Sequence, residues 1–192
     1  MRKSILLMIV GSFIMINGFS QVIIKPTAGI NITDFSKVPG GEAKGKLGWQ
    51  LGGSVAFGKK LYFEPGIFFV GKSSEFSYSD LPDQEFKADI KGFRIPVNIG
   101  YKFVGDEKTL FGLRGFGGAS AFFISDAGDI DMDAIKKSSF GIFAGAGIDI
   151  WKLFLDLSYE WSLTNLQKDV SEVEVGKSRS LFISAGFRIA LQ

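Results

Sequence analysis

Regular alternation of large apolar and small polar side chains is the feature that most restricts the fold of this sequence. It is clearest between Leu153 and Asn165. The large side chains there are Leu153, Leu155, Leu157, Tyr159, Trp161 and Leu163, and the opposite set is Asp156, Ser158, Glu160, Ser162 and Thr164. A repeat of two residues places successive side chains on opposite faces of an extended chain. The pattern therefore predicts a β-strand with two unlike faces.

The same alternation recurs along the chain and predicts eight strands. Besides residues 153–165, the segments are 22–33, 45–58, 61–69, 93–103, 110–124, 139–150 and 180–191. The connections after the second, fourth and sixth strands are short, whereas those after the first, third, fifth and seventh are long. An even-numbered antiparallel barrel has short turns at one rim and long loops at the other. We expect both chain ends to lie at the short-turn rim.

The first 20 residues have the organisation of a secretory signal peptide. A basic start at Arg2 precedes an apolar stretch from Ile5 to Ile16, and small residues follow it. The pattern predicts cleavage before Gln21, with residues 1–20 as signal peptide and residues 21–192 as the exported domain. The alternative is an uncleaved anchor, but the apolar stretch is shorter than the ~20 residues that a membrane-spanning helix needs.

Composition removes several classes of function. The 192 residues include neither cysteine nor histidine, which excludes disulfide scaffolds, thiolate metal sites, cysteine nucleophiles and histidine-based triads. The formal charge of +2 comes from Arg2 and Lys3 alone, so the exported domain is neutral and offers no electrostatic basis for binding nucleic acid. We expect a non-enzymatic protein without cofactor or metal.

Side-chain volume indicates which face of the predicted barrel points inward. Glycine, serine and alanine dominate one face, and leucine, isoleucine, phenylalanine and tryptophan dominate the other. An eight-stranded barrel is only just wide enough to hold its interior side chains, so the small set fits inside. The large set would then form a belt beyond the few hundred Å² tolerated on soluble monomers, and lipid must cover it.

The sequence therefore predicts an all-β protein, an eight-stranded antiparallel up-and-down transmembrane β-barrel. Two alternatives keep the same alternation. A soluble ligand carrier would turn its large apolar face inward, and a soluble sandwich would use the aromatic residues in its core.

Aromatic residues lie near both ends of the predicted strands. Those at the long-loop rim are Trp49, Phe93, Phe123 and Trp161, and those at the short-turn rim are Phe57, Tyr101, Phe103 and Trp151. Bilayers favour aromatic side chains at both interfaces. We therefore predict two aromatic girdles, with the long loops outside the cell.

Charged residues alternate onto the face that the barrel would turn inward. The predicted lumen charge network consists of Lys25, Glu64, Arg94, Arg114, Asp149, Asp156, Glu160 and Arg188. Counting along each strand from the short-turn rim predicts a similar depth for six of them, Lys25, Glu64, Arg114, Asp149, Asp156 and Arg188. Buried charges persist when they are paired or hydrated, so we expect ion pairs that fill the lumen together with Phe68, Phe116, Phe143 and Phe182. The functional alternative is an ion pathway or a catalytic pair of carboxylates.

The predicted loops carry two further features. The longest, residues 72–91, contains the large side chains Phe76, Tyr78, Leu81 and Phe86, which could extend a hairpin or contact a partner. The next long loop contains Asp126, Asp129, Asp131 and Asp133. Oxygen clusters of this kind can hold calcium, but the glycine and terminal glutamate of an EF-hand loop are missing. Solvation or cation bridging to lipopolysaccharide is the preferred interpretation.

Four stretches of sequence resemble one family of membrane barrels. They are residues 25–32 (KPTAGINI), 94–103 (RIPVNIGYKF), 144–149 (AGAGID) and 159–165 (YEWSLTN). With them the chain is similar to the PorT-like outer-membrane β-barrel family, of the porin-family outer membrane protein β-barrel class. The resemblance covers nearly all of residues 21–192. It implies an eight-stranded barrel in the outer membrane of a Gram-negative bacterium.

The chain departs from many such barrels at its end, which reads Ala190-Leu191-Gln192. An aromatic residue there commonly helps the barrel-insertion machinery to recognise the chain, and Phe187 is the candidate here. We predict a small outer-membrane protein of the cell envelope whose long loops serve surface interaction. Its expected partners are membrane lipid, lipopolysaccharide, the insertion machinery and an envelope or extracellular protein. The alternatives are a component of a secretion or envelope assembly, and a narrow pore.

Overall fold

The computed structural model describes residues 21–35, 41–78, 81–105, 109–126, 138–164 and 178–191. The predicted signal peptide, residues 1–20, lies outside them. No helix long and apolar enough to cross a membrane occurs in these ranges.

Ten strand segments follow one another along the described chain. They are β1 (Val22–Phe35), β2 (Gly41–Gly45), β3 (Leu47–Gly58), β4 (Leu61–Tyr78), β5 (Leu81–Val104), β6 (Phe111–Asp126), β7 (Ser138–Ile150), β8 (Leu153–Ser162), β9 (Ser178–Phe187) and β10 (Ile189–Leu191). Lys46 alone separates β2 from β3, and Arg188 alone separates β9 from β10. The segments therefore form eight barrel strands.

Each barrel strand pairs antiparallel with its neighbours in sequence, and the first strand closes the sheet. On one side β1 pairs with β3, from Val22 opposite Phe57 to Ile32 opposite Leu47. On its other side β1 pairs with β9 and β10, and Val22 lies opposite Leu191 of β10. Both ends of the barrel chain thus lie at the short-turn rim, and the predicted closed eight-stranded antiparallel barrel is confirmed.

Strands β4 and β5 continue well beyond the predicted boundaries. The expectation of a long loop at residues 72–91 is wrong, and the alternative of an extended hairpin is confirmed: Lys72 pairs with Ile90 and the ladder extends to Tyr78 opposite Leu81. The strands continue because main-chain pairing needs no apolar side chains once a strand leaves the apolar belt. The acidic residues Asp129, Asp131 and Asp133 lie outside the described residues.

Three short turns at the same rim use left-handed backbone. Gly58 ends β3 with a φ of 120°, Gly105 follows β5 with a φ of 85°, and Trp151, in the two-residue turn between β7 and β8, has a φ of 54°. Glycine adopts such angles freely, whereas a bulky residue does so at a cost. Each of these turns reverses the chain between two adjacent strands.

Side chains alternate between a filled interior and an apolar exterior. One interior cluster, toward the long-loop rim, comprises Phe68, Val70, Ile90, Phe122, Ile124 and Phe182. A smaller one near the short-turn rim comprises Ile23, Ala56 and Tyr62. The outer face exposes large apolar residues along every barrel strand, such as Leu51, Ile99 and Leu157. The large side chains thus point outward, as their volume required.

Candidate functional site: a charged lumen inside an apolar wall

Six charged side chains are connected inside the barrel toward the short-turn rim. This short-turn cluster consists of Lys25, Glu64, Arg114, Asp149, Asp156 and Arg188. Lys25 Nζ lies 2.9 Å from Glu64 Oε1 and 3.6 Å from Asp156 Oδ2. The hydroxyl of Ser54 donates to the same Glu64 oxygen at 2.6 Å. Lys25 therefore joins carboxylates from β4 and β8, on opposite sides of its own strand.

Arg114 is the bridge within the short-turn cluster. Its Nη2 donates to Asp156 Oδ1 at 2.5 Å, and its Nε donates to Asp149 Oδ1 at 3.1 Å. The second Asp149 oxygen lies 3.3 Å from Arg188 Nη1. Three cations thus face three carboxylates, and each of these charges has an opposite partner. Such mutual pairing offsets the cost of removing the charges from water.

A separate group, the long-loop cluster, lies toward the other rim and consists of Lys72, Arg94, Ser120 and Glu160. Arg94 donates from Nε at 2.8 Å and from Nη2 at 2.6 Å, both to Glu160 Oε2. Ser120 Oγ donates to that oxygen at 2.8 Å. The structure therefore divides the eight predicted network residues into a group of six and a pair.

Aromatic rings surround the cations of the long-loop cluster. The Arg94 guanidinium lies 4.6 Å from the Phe182 ring centroid and 5.0 Å from that of Phe143. Lys72 Nζ lies 4.7 Å from the Phe122 centroid and 6.0 Å from that of Phe182. Cation–π contacts of this kind stabilise a buried positive charge.

Sequence reasoning missed Lys72 as an interior residue. It assigned this lysine to a loop, whereas the strand continues and buries it. It also overlooked the inward amides of Asn31 and Gln50, although the alternation placed both on the small-residue face. Asn31 Nδ2 donates to the carbonyl oxygens of Gly71 at 3.0 Å and Trp49 at 3.2 Å. These interior polar groups tie adjacent strands together.

A small cavity separates the two clusters. It has a volume of about 50 Å³, and its lining includes Lys25 and Glu64 on one side and Arg94 on the other. Gln50 Oε1 and Asn98 Oδ1, which also line it, have no hydrogen-bond partner within the described part of the chain. A cavity of this size and polarity has room for a few water molecules. It has no room for a drug-sized ligand, which needs ~300 Å³ or more.

The outer wall carries the predicted girdle residues at both rims. Trp49, Phe93, Phe123 and Trp161 are exposed toward the long loops, and Tyr101, Phe103 and Trp151 are exposed toward the short turns. Phe57 differs from these, because it is half-buried. At the long-loop rim the Phe69 ring lies 5.6 Å from that of Trp49 and 5.2 Å from that of Phe93. Their placement at the membrane interfaces stays a prediction.

A closed eight-stranded barrel with a charged, packed lumen and an apolar outer wall defines the class of small outer-membrane barrel proteins. The chain belongs to the outer membrane protein beta-barrel domain family, whose sequence pattern matches residues 19–168. Its location is the outer membrane of a Gram-negative bacterium.

Solved structures agree with this assignment at the level of the fold. The chain is similar to the outer membrane protein OprG from Pseudomonas aeruginosa, with 16% identity and a TM-score of 0.59, covering 90% of this chain and 96% of that one. It is also similar to Neisserial surface protein A, with 15% identity and a TM-score of 0.54, covering 88% and 96% respectively. No curated protein sequence matches the chain.

Proposed function

We propose that this protein is a non-enzymatic outer-membrane barrel whose wall is a closed anchor and whose interactions are made at the long-loop rim. The observation that carries the proposal is the filled lumen. Two charge clusters and the rings of Phe68, Phe143 and Phe182 occupy it, and the cavity between the clusters measures about 50 Å³. A macromolecule cannot enter a filled lumen, so we expect it to bind the segments at the rims.

The interior carboxylates support a structural role over a catalytic one. Glu64 and Asp156 share Lys25, and Glu160 accepts hydrogen bonds from Arg94 and Ser120. A general acid or base must be reached by substrate, and these groups lie among packed side chains. Carboxylates that are paired with cations in a closed space favour a structural role, in which they link different strands of the barrel wall.

Orientation is the first element to test. We place the short-turn rim in the periplasm and the long-loop rim outside the cell, where lipopolysaccharide or an extracellular protein would be met. An epitope tag inserted within residues 165–177 should bind antibody on intact cells. A matched tag within residues 106–108 should bind only after the outer membrane is opened. The reverse result would overturn the orientation and with it the surface role.

A narrow pore is the second candidate, and the cavity between the clusters favours it. Planar-bilayer recording separates the two functions, because a closed anchor gives no conductance steps. Reproducible single-channel steps from the purified protein would replace the closed anchor with a pore.

The PorT-like affiliation is part of the same proposal and suggests a role in a secretion or envelope assembly. Loops at either rim would then hold a protein partner. Deleting residues 168–174 should remove a long-loop partner that co-purifies after cross-linking in cells, while the barrel still migrates as a folded species. We further propose that the insertion machinery reads Phe187, which is exposed on the outer wall near the end of the chain.

A further inference from the structure

An apolar groove of about 450 Å³ indents the outer wall beside the short-turn rim. Strands β7, β8 and β9 form it. Its side chains include Ile148, Ile150, Leu153, Leu155, Ala185 and Phe187. The volume falls within the ~300 to 1,000 Å³ typical of sites for small molecules, and the lining is almost wholly apolar.

The groove arises from one small side chain in a row of large ones. Ile148 lies opposite Leu155 across β7 and β8, and Leu155 lies opposite Ala185 across β8 and β9. Along β9, Ile183 and Phe187 stand on either side of Ala185 on the same exposed face. The methyl group of Ala185 leaves a gap between these two larger side chains. The neighbouring residue across β1 is Ala28, so no bulky side chain fills the gap from that side.

A cation and an aromatic ring lie at the rim end of the groove. Leu153, which lines the groove, follows the exposed turn residues Trp151 and Lys152. Lys152 Nζ lies 5.2 Å from the Trp151 ring centroid. The amide of Arg188 donates to the Lys152 carbonyl at 2.7 Å, which holds this turn beside the end of β9. An apolar groove that ends at an exposed cation is complementary to an amphiphile with an anionic head group.

We propose that the groove binds one acyl chain of a phospholipid whose phosphate lies against Lys152. The groove is continuous with the apolar wall, and this wall lies in the outer membrane. The choice of phospholipid rests on the orientation proposed above, because the periplasmic leaflet consists of phospholipid and the outer leaflet of lipopolysaccharide.

The test is native mass spectrometry of the protein expressed in full, purified from outer membranes in mild detergent and incubated with mixed phosphatidylethanolamine and phosphatidylglycerol vesicles. We expect one retained phospholipid on the wild type. Ala185→Leu fills the groove and should lower its retention roughly tenfold, since several buried methylene contacts are lost. Lys152→Gln should lower the retention of both phospholipids, because each carries the phosphate that Lys152 would contact. Ala144→Leu, on the exposed face of β7 outside the groove, is the matched control and should retain lipid normally.

Gel migration with and without boiling confirms that each variant is folded before its lipid is counted. Equal retention by wild type and Ala185→Leu, or no retention by either, would overturn the site. An adduct of lipopolysaccharide mass that Ala185→Leu removes would overturn the phospholipid assignment. A dimer that Ala185→Leu dissociates would show a second copy of the chain in the groove and overturn it as well. The epitope experiment tests orientation independently, so failure of one proposal is distinguishable from failure of the other.

Discussion

Arg94 on β5 and Glu160 on β8 meet across the lumen although 66 residues and two intervening strands separate them. Two guanidinium nitrogens donate to one carboxylate oxygen, at 2.8 and 2.6 Å. The pair therefore ties opposite sides of the barrel wall. The rings of Phe143 and Phe182 lie within 5.0 Å of the same guanidinium and add cation–π contacts to the pair.

Removing Arg94 should be costly because Glu160 would keep only the Ser120 hydroxyl as a hydrogen-bond donor. We expect Arg94→Met to lower the free energy of unfolding by about 3 to 5 kcal/mol, measured by urea titration in lipid vesicles with tryptophan fluorescence. The triple variant Arg94→Met, Glu160→Leu and Lys72→Met should recover most of that loss, because buried Lys72 is then not left without its carboxylate neighbour. A triple variant as unstable as the single one would contradict this account.

Arg188 offers a matched contrast within the short-turn cluster. Its partner Asp149 also accepts from Arg114 at 3.1 Å, so Arg188→Met leaves no carboxylate without a cation. We expect a loss of about 1 to 2 kcal/mol by the same titration, clearly smaller than that of Arg94→Met. Equal losses for the two variants would show that shared pairing does not protect the cluster.

Position 100 requires glycine because the ring of Tyr62 lies against it. Tyr62 on β4 is the direct cross-strand partner of Gly100 on β5. A methyl group on Gly100 would collide with the Cζ and Oη atoms of this buried ring. Gly100→Ala should therefore destabilise the barrel by about 1 to 3 kcal/mol. Gly117→Ala is the control, because its added methyl would meet only the Phe143 carbonyl oxygen, at 3.2 Å. Similar unfolding curves for the two variants would refute the packing argument.

The cavity between the clusters should contain ordered water. Gln50 Oε1 and Asn98 Oδ1 are buried acceptors that line it, and buried acceptors are seldom left without a donor. A high-resolution crystal structure should show water within ~2.7 to 3.2 Å of at least one of these oxygens. Well-resolved density with a dry cavity would count against the assignment.

The girdle prediction can be tested with the native tryptophans. All three, Trp49, Trp151 and Trp161, lie on the outer wall and are 44%, 63% and 41% exposed. In vesicles that contain brominated lipids, bromine near the head group should quench them more strongly than bromine near the bilayer centre. Stronger quenching from the centre, or quenching only by aqueous acrylamide, would place these rings elsewhere.

The strands of the barrel wall and their two faces could be predicted from the sequence because the alternation of side chains is local. Leu157 and Ser158 are adjacent in sequence, so their side chains must lie on opposite faces, and this assignment needs no knowledge of any other strand. The same reasoning fails where β4 and β5 leave the apolar belt, since pairing continues there without apolar alternation. Lys72 was missed for this reason.

Membership of the lumen network and the common depth of its six short-turn residues were also predictable, but the individual ion pairs were not. Counting along each strand from the short-turn rim gives a similar depth for Lys25 and Glu64, which are 39 residues apart. Whether Lys25 meets Glu64 or Asp149 depends on the stagger between strands, and stagger is set by closure of the whole barrel. The half-buried position of Phe57, unlike the exposed Phe103, likewise depends on neighbours that closure supplies.

Closure by β1 with β9 and β10 has a consequence for how the cell handles this protein. The partner of the first strand comes from residues 178–191, so a chain that stops before Ser178 leaves the outer edge of β1 with no neighbour. Hydrocarbon cannot satisfy an open row of amides and carbonyls. An incomplete copy therefore cannot insert stably, so the bilayer itself discriminates between a closed barrel and an open one.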